Sequence, residues 1–367
     1  MNGAELFVRC LENEEVEYIY GIPGEENIGI MDVLLDSPIK FITTRHEQGA
    51  AFMADVQGRL TGRAGVCLAT LGPGATNLIT GFADANMDHA PIVGIAGQGA
   101  TTRLHKESHQ ILDLVNLFEP ISKYSTQARE PEIIPEIVRK AFKVAQAEKP
   151  GGCFIDLPEN IAGAEVIDKQ PLKVQSAKIP TPPESKMAQA ADLISSARFP
   201  LIMAGNGVIR GNASDALVAF AEKLNIPVAT TFMAKGVIPF SHELSLGAVG
   251  LQASDYVSCG FNRADVIICV GYDIVEYHPE LWNYNKKASL IHIDPSAAEV
   301  DEYYIVECGV VGDISRALET IADLATPNQE NNAYHLRQTI VDVIEADANS
   351  QAFPLKPQKI LWDLRQA

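Results

Sequence analysis

Short apolar segments alternate with amphipathic segments along most of this chain, and that alternation constrains the fold more than any other feature. In the first half, segments typical of strands lie at 16–22, 40–44, 65–72, 90–97 and 151–158. Segments with helical periodicity lie between them, near 27–36, 47–61 and 75–88. Repeated strand–helix alternation predicts a parallel sheet covered by helices on both faces. Ligands of such sheets bind in the crevice beyond the carboxyl ends of the strands.

A proline-rich break divides the chain into two predicted domains. Residues 168–186 contain four prolines and no helical period, which is typical of a linker. We therefore predict a first domain over 1–167 and a second over 187–328, where strand and helix segments alternate again. Residues 329–367 turn polar and end in a short segment of helical character. The predicted fold class is α/β, with two doubly wound parallel-sheet domains.

The overall charge and hydrophobicity exclude several classes of protein. Lysine and arginine number 29 and aspartate and glutamate 47, so the net charge is −18, and 47% of the 367 residues are hydrophobic. Such a chain can bury sizeable cores, whereas its acidic surface repels nucleic acid and anionic membranes. The first twenty residues lack a signal-peptide pattern, and no run reaches the length of a membrane span. We predict a cytoplasmic protein with neither a nucleic-acid nor a membrane partner.

The cysteines and histidines do not show the spacing of metal ligands. None of the six cysteines forms a CxxC pair, and Cys67, Cys153 and Cys269 lie in apolar, strand-like runs. We interpret the cysteines as small core residues in a reducing compartment. His46 and His89 have no regular ligand spacing either, so no residue of this chain is predicted to bind a metal.

Three turns that follow strand segments carry residues of possible chemical use. The turn "YGIPGEEN" (20–27) follows the first strand, Glu47 follows the second, and "LGPGATNL" (71–78) follows the third. Gly72 and Gly74 permit close backbone approach, and Thr76 or Asn77 can cap the next helix. Glu47 could serve as a favourable charge at a helix N-terminus, and "LGPGATNL" could be a tight turn only. Convergence of three strand ends on one crevice favours a site.

Further polar stretches are weaker candidates. "RLHKESHQ" (103–110) contains two histidines and a glutamine and could be a solvated loop. In the second domain, "GNG" (205–207) is a fragment of a dinucleotide-binding fingerprint. Asp294 ends a strand segment, where it could bind a ribose or form a turn with Pro295.

Together, several of these stretches resemble one family. "YGIPGEEN", "RHEQGAAFMA", "GRLTGRAGVCLATLGPGATNL", "KESHQ" and "KAFKVAQAEKPGGCFIDLPE", in this order, are similar to thiamine diphosphate-dependent 2-oxo acid enzymes, and most similar to the acetolactate synthase large subunits. The resemblance covers essentially the whole chain. It implies a pyrimidine-binding first domain and a central, Rossmann-like second domain. "HQILDLVNLFEPISKYS" and "VGYDIVEYHPELWN" resemble the pyruvate-utilising branch that works without FAD.

The resemblance also implies roles for individual residues. The glutamate that matches Glu47 hydrogen-bonds the aminopyrimidine ring of the cofactor in this family, and a carboxyl with apolar neighbours suits that role. Gln110, with His109, would reach the reacting centre. Pro23 and Gly24 would approach the cofactor from the first turn, and Thr70, Gly72 and Asn77 would surround the pyrimidine. Where some relatives have a small residue and a lysine after this turn, the chain has Glu25 and Glu26, which bears on substrate choice.

The family's diphosphate-binding signature, Gly-Asp-Gly followed by Asn, does not occur in this sequence. Its only Gly-Asp, Gly312-Asp313, precedes a helical segment and is better explained as a helix cap. We expect Mg²⁺ to be held by a further C-terminal domain, because the final segment "PLKPQKILWDLRQA" resembles the start of that domain. Residues 1–367 alone are therefore expected to bind the cofactor weakly and not to turn over.

The implied activity is acetolactate synthesis, in which pyruvate is decarboxylated and joined to a second 2-oxo acid to give 2-acetolactate and CO₂. The implied assembly is a homodimer or tetramer, with a possible regulatory small subunit. Two alternatives remain open at this point. One is another thiamine diphosphate-dependent 2-oxo acid decarboxylase or lyase, and the other is a non-catalytic nucleotide-binding protein that uses "GNG" and Asp294.

Overall fold

A computed structural model describes residues 1–175, 178–250, 257–329, 333–346 and 348–367 of the chain. These residues form two compact units, Met1–Lys178 and Ile179–Ala367. The first unit thus ends inside the proline-rich stretch 168–186. Each unit is built around one six-stranded sheet.

The first unit contains a wholly parallel sheet. Its strands are β1 (Tyr18–Gly21), β2 (Lys40–Thr43), β3 (Gly65–Ala69), β4 (Ile92–Gln98), β5 (Tyr124–Gln127) and β6 (Gly152–Pro158). They are arranged in the order β2-β1-β3-β4-β6-β5. Strands β3, β4 and β6 are buried along their whole length, because helices cover both faces of the sheet.

Eight α-helices belong to the described part of the first unit. They are α1 (Gly3–Asn13), α2 (Ile28–Leu34), α3 (Glu47–Thr61), α4 (Pro73–Asn77), α5 (Ile79–Met87), α6 (Leu114–Phe118), α7 (Ile134–Gln146) and α8 (Glu159–Gly163), with α9 (Glu184–Ser196) opening the second unit. The single helix predicted near 75–88 is therefore wrong in its start and its continuity, because α4 begins at Pro73 and a break at Leu78 separates it from α5. On one face of the sheet, the rings of Phe118 and Phe154 stack with centroids 3.8 Å apart.

The second unit repeats the architecture. Its strands are β7 (Pro200–Ala204), β8 (Val228–Thr230), β9 (Ser245–Ala248), β10 (Val266–Val270), β11 (Ser289–Asp294) and β12 (Val306–Val311), all parallel and ordered β12-β11-β10-β7-β8-β9. Its other helices are α10 (Gly207–Arg210), α11 (Ser214–Leu224), α12 (Ser258–Arg263), α13 (Ile314–Leu324), α14 (Ala333–Ala346) and α15 (Pro357–Gln366). The predicted fold class, two doubly wound parallel α/β sheets, is confirmed.

An aromatic cluster fills one side of the second sheet. Trp282 is 3% exposed, and its ring meets those of Phe261, Tyr272 and Tyr304. The indole Nε1–H donates to the carbonyl oxygen of Tyr277 over 3.2 Å. The indole is thus fixed by both packing and a hydrogen bond.

The interpretation of the cysteines as core residues is confirmed for those whose side chains are described. Cys10, Cys67, Cys153, Cys269 and Cys308 are buried and free of disulfides, whereas the side chain of Cys259 lies outside the described residues. Burial raises the pKa of the Cys67, Cys153 and Cys269 thiols to about 12. These thiols are therefore protonated packing groups at neutral pH. Within the described residues, no helix combines the length and hydropathy that crossing a bilayer requires.

Candidate active site

Three turns of the first unit meet at one edge of the sheet. Strand β1 lies between β2 and β3, and Gly21, its last residue, pairs with Thr43 on one side and Leu68 on the other. Because the three strands are parallel, the segments that follow them emerge side by side. Glu47 and the turns at 22–27 and 70–77 therefore share the carboxyl edge of the sheet.

Glu47 is the first residue of α3. The preceding residue, His46, is the N-cap, and its Nδ1 accepts a hydrogen bond from the amide of Gln48 over 3.1 Å. Glu47 is 8% exposed. Its Oε2 accepts a hydrogen bond of 2.9 Å from Nδ2 of Asn77, while Oε1 accepts none from the residues that the structure describes. The site thus holds a buried carboxylate with one oxygen fixed and the other available.

The capping role predicted for Thr76 or Asn77 is wrong. Gly72, with φ of 57°, is the N-cap of α4, and the next helix begins without a side-chain cap. The Thr76 hydroxyl donates to the carbonyl of Pro73 over 3.1 Å. Asn77 instead reaches Glu47, which is thirty residues away along the chain, so its amide belongs to the site.

Two glycines make room for Thr70 beside Glu47. A Cβ at Gly24 would lie 2.4 Å from the Thr70 Cβ, and one at Gly74 would lie 2.9 Å from the Thr70 Cγ2 and 3.5 Å from Oε1 of Glu47. The Thr70 hydroxyl donates to Oε2 of Glu26 over 2.9 Å. The first and third turns are thus joined through Thr70, and neither glycine can be replaced without moving it.

Gln110 reaches the third turn from a more distant segment. A Cβ at Gly72 would lie 2.7 Å from the Gln110 carbonyl oxygen and 2.9 Å from its Cβ. Gln110 itself has φ of 53° and is exposed. Pro23 and His109 are also exposed, on the first turn and beside Gln110. The structure therefore brings Glu47, Asn77, Thr70, Gly24, Gly72 and Gln110 to the same edge of the sheet.

The apolar surroundings expected for Glu47 are present on one side only. Ala50 and Ala51 are fully buried, but Phe52 and Met53 are 36% and 48% exposed. The expectation fails for these two because, on a helix, they point away from the sheet while Ala50 and Ala51 face it.

A polar cavity of about 450 Å³ lies further along the same edge, at the ends of β4, β5 and β6. Asp156 lines it and is 1% exposed. Its Oδ2 accepts a 2.6 Å hydrogen bond from Nε2 of Gln127, and its Oδ1 is buried without a hydrogen-bond partner among the described residues. Burial raises the pKa of the Asp156 carboxyl to about 6, although the amides of Gln127 and Gln98 counteract part of the rise. Sequence reasoning missed this residue, because its contact with Gln127 joins distant segments. It named Glu26 but not the contact of Glu26 with Thr70, for the same reason.

The corresponding edge of the second sheet is closed by its own side chains. Both carboxylate oxygens of Glu276 lie 3.0 Å from the amide of Asn206, which donates to them, and Oε1 also accepts from the amide of Asp273 over 3.3 Å. The Thr231 hydroxyl donates to Oε2 as well. Burial raises the pKa of the Glu276 carboxyl to about 7, against these hydrogen bonds. An internal carboxylate thus occupies the turn where a nucleotide phosphate would bind.

The glycines of the "GNG" turn serve packing. A Cβ at Gly205 or Gly207 would lie 2.4 Å or 2.6 Å from the backbone of Gly271. Asp294 is 1% exposed, and its Oδ1 accepts from the amide of Ser296 over 2.8 Å. This contact corresponds to the prediction that Asp294 forms a turn with Pro295, the alternative to a ribose-binding role. Asp313 is the N-cap of α13 and accepts from the amide of Arg316 over 2.9 Å, so the predicted cap is confirmed. Among the described residues, no three His, Cys, Asp or Glu side chains are grouped so that they could hold a metal ion.

Comparison with known protein families agrees with this geometry. Residues 1–117 match the family model "Thiamine pyrophosphate enzyme, N-terminal TPP binding domain", and residues 187–321 match "Thiamine pyrophosphate enzyme, central domain". The chain belongs to the thiamine pyrophosphate enzymes, and the resemblance drawn from its motifs is confirmed.

Individual relatives narrow the class of enzyme within this family. A "Probable acetolactate synthase large subunit" of Methanocaldococcus jannaschii is 36% identical over 100% of this chain and 64% of its own length. An "Acetolactate synthase" of Bacillus subtilis is 35% identical over 99% of this chain and 60% of its own. An "Acetolactate synthase large subunit" of Corynebacterium glutamicum is 36% identical over 87% of this chain and 53% of its own length. The chain spans less than two thirds of the length of these relatives.

The residues at the first sheet's edge fit the pyrimidine ring of thiamine diphosphate. The available Oε1 of Glu47 can exchange a hydrogen bond with a ring nitrogen, and Gly74 leaves the space beside it free of a side chain. When bound, the cofactor supplies the carbon nucleophile and the electron sink for decarboxylation. The residues of this chain that would hold the ring are Glu47, whose carboxyl is fixed by Asn77, and Gly24, Thr70 and Gly72, which shape the space beside it.

Proposed function

We propose that the chain is the pyrimidine-binding and central part of an acetolactate synthase. The observation that carries this proposal is the buried Glu47 carboxyl, held by Asn77 at one oxygen and available at the other, in a chain whose relatives are named acetolactate synthases. The substrates are pyruvate and a second 2-oxo acid, and the products are 2-acetolactate and CO₂.

Each site residue has a proposed role in this reaction. Glu47 exchanges a proton with the cofactor's pyrimidine, a contribution typically worth about 10²–10⁴ in rate. Gln110, with His109 beside it, faces the substrate, and its contact with Gly72 supports this role. Pro23, Gly24, Thr70, Gly72 and Asn77 form the wall of the cofactor site.

The proposal extends to the assembly and its cofactors. We propose that Mg²⁺ accompanies thiamine diphosphate, that FAD is not used, and that the protein works as a homodimer or tetramer. Two of the relatives are named as large subunits, which supports a small-subunit partner. The free, buried cysteines support a reducing, cytoplasmic setting.

Domain limits of 1–167 and 187–328, joined by 168–186, are part of the same proposal. The division between Lys178 and Ile179 supports the linker, and the family-model match over 187–321 supports the second domain. The non-catalytic alternative has no support at the "GNG" turn, because Glu276 takes up the amide of Asn206 there.

The test is acetolactate formation from pyruvate by the full-length protein with thiamine diphosphate and Mg²⁺. We expect product from the wild type and its loss in Glu47→Gln, which keeps the size of the side chain and an acceptor for Asn77. A folded, cofactor-binding wild type that forms no acetolactate would contradict the proposal, and a panel of 2-oxo acids would then identify the substrate.

A further inference from the structure

Gln110 lies on a long loop, 99–113, that connects β4 to α6. The first part of this loop is anchored to α8. Oε1 of Glu159 accepts from the amide of Ala100 over 3.0 Å and from the Arg103 guanidinium over 3.3 Å, and Oδ1 of Asn160 accepts from the amide of Thr101 over 2.9 Å. Nε of Arg103 also donates to the Ser108 hydroxyl over 3.1 Å, so this anchoring extends to residue 108 and stops two residues before Gln110.

Gln98, the last residue of β4, anchors the second part. Its side chain is buried, with 1% of the residue exposed. Nε2 donates to the carbonyl of Leu112 over 3.1 Å, and Oε1 accepts from the amide of Gly99 over 3.0 Å. One amide therefore ties both ends of the loop to the sheet. Within the described residues, it makes the only hydrogen bond between a strand and residues 104–112.

Packing on the far side of the loop is incomplete. The cavity of about 450 Å³ is bounded by residues 111–116 on one side and by Gln98, Gln127 and Asp156 on others. Open space beneath Ile111 and Leu112 means that van der Waals contact there contributes less than in a filled core. The hydrogen bond from the Gln98 side chain to Leu112 is correspondingly more important for the loop's position.

We infer that Gln98 is a positioning residue, which holds the loop so that Gln110 stays against Gly72 at the mouth of the Glu47 site. This inference rests on the proposed function for the role of Gln110, but the anchoring itself does not. Displacing a catalytic group by about 1 Å can lower a rate by about 10²-fold, so a change at a buried amide far from the chemistry can be large.

The chain supplies a matched control. Gln127 is the last residue of β5, lies at the same sheet edge, and also neighbours Asp156, to which its Nε2 donates over 2.6 Å. Its hydrogen bond goes to the sheet and not to the loop. Removing either glutamine amide disturbs the surroundings of Asp156, but only the loss of Gln98 releases Leu112.

The first experiment follows amide hydrogen exchange over 99–113 in the full-length protein. In Gln98→Ala we expect exchange at least about tenfold faster than in wild type for amides near Gln110, whereas Gln127→Ala leaves this segment unchanged. Gln98→Glu keeps the length of the side chain but lacks the N–H donor to Leu112. It serves as the second variant if Gln98→Ala does not fold, and we expect the same faster exchange from it. Equal acceleration in Gln127→Ala, or none in either Gln98 variant, would overturn the inference.

The second experiment is a double-mutant cycle on acetolactate formation. We expect Gln98→Ala to lower kcat by about 10–10²-fold with thiamine diphosphate affinity unchanged, and to have no further effect in a Gln110→Ala background. Independent, multiplicative losses would show that Gln98 does not act through Gln110. A wild-type protein that forms no acetolactate would refute the proposed function, and the exchange experiment would still decide whether Gln98 holds the loop.

Discussion

The carboxyl edges of the two sheets place a buried glutamate at equivalent ends of similar folds, but they use it differently. At the first edge, Glu47 has a single side-chain donor, Asn77, and an available oxygen. At the second edge, Glu276 receives hydrogen bonds from two backbone amides and a hydroxyl. The first carboxyl can act on a ligand, whereas the second already binds its own chain.

The difference shows that the fold supplies a location and the local hydrogen bonds decide its use. Crevices at strand ends collect backbone N–H groups and polar side chains in both units. Where another residue of the chain satisfies them, the crevice becomes part of the scaffold. Where one acceptor is left over and glycines keep space beside it, the crevice can bind a ligand.

The largest expected effect separates the two glutamates by activity. Glu47→Gln should lower acetolactate formation by about 10²–10⁴-fold, because the amide cannot exchange the proton that the carboxyl does. Its thermal unfolding midpoint should stay near that of wild type, since Asn77 keeps an acceptor. Steady-state rates and calorimetry measure the two quantities. An active Glu47→Gln protein would break the comparison.

Two glycines with φ of 57° test how rigid each edge is. A Cβ at Gly271 would lie 2.4 Å from the backbone nitrogen of Val208, whereas a Cβ at Gly72 would meet the exposed Gln110. Gly271→Ala should lower the free energy of unfolding by about 3 kcal/mol or more, and Gly72→Ala by about 1–2 kcal/mol, because the loop can shift. Urea denaturation measures both. A smaller cost at Gly271 than at Gly72 would contradict this view of the second edge.

Glu276→Ala should reveal the structural use of the second carboxyl. The amides of Asn206 and Asp273 and the hydroxyl of Thr231 lose their acceptor, at an expected cost of about 2–3 kcal/mol in the free energy of unfolding. Glu280→Ala, in the same segment, is the control. Catalysis by the folded fraction should be retained. A stable variant with lost activity would assign Glu276 to the site instead.

Asp156 lies at the first edge and gives the smallest expected effect, a dependence on pH. Its pKa is raised to about 6 in the folded protein, above the ordinary aspartate pKa of about 4. Ionisation of this carboxyl therefore disfavours folding above about pH 6, and the penalty disappears as the pH falls toward about 4. Asp156→Asn should therefore be more stable than wild type by roughly 2 kcal/mol at pH 8, with the difference shrinking toward pH 4. Asp36→Asn, at an exposed position, is the control. Denaturation at several pH values measures it, and a difference that grows on acidification would refute the sign.

The sequence predicts the periodic elements better than the contacts between them. Alternating segments indicate both sheets, and the position of Glu47 after a strand marks it as a candidate. The partner of Glu47 could not be predicted, because local patterns assign Asn77 to a cap and its real contact depends on β2 and β3, which lie on either side of β1. Strand β5 was also missed, since "YSTQ" is short, half-buried and polar. Contacts such as Glu276 with Asn206 join residues seventy positions apart, which no local pattern encodes.

The buried indole of the aromatic cluster determines what optical unfolding experiments can detect. The chain has two tryptophans, Trp282 in that cluster and Trp362 in α15, and both belong to the second unit. Intrinsic tryptophan emission therefore reports on the second unit alone. An emission curve could remain unchanged while the unit that carries Glu47 unfolds, whereas circular dichroism or tyrosine absorbance would detect the loss.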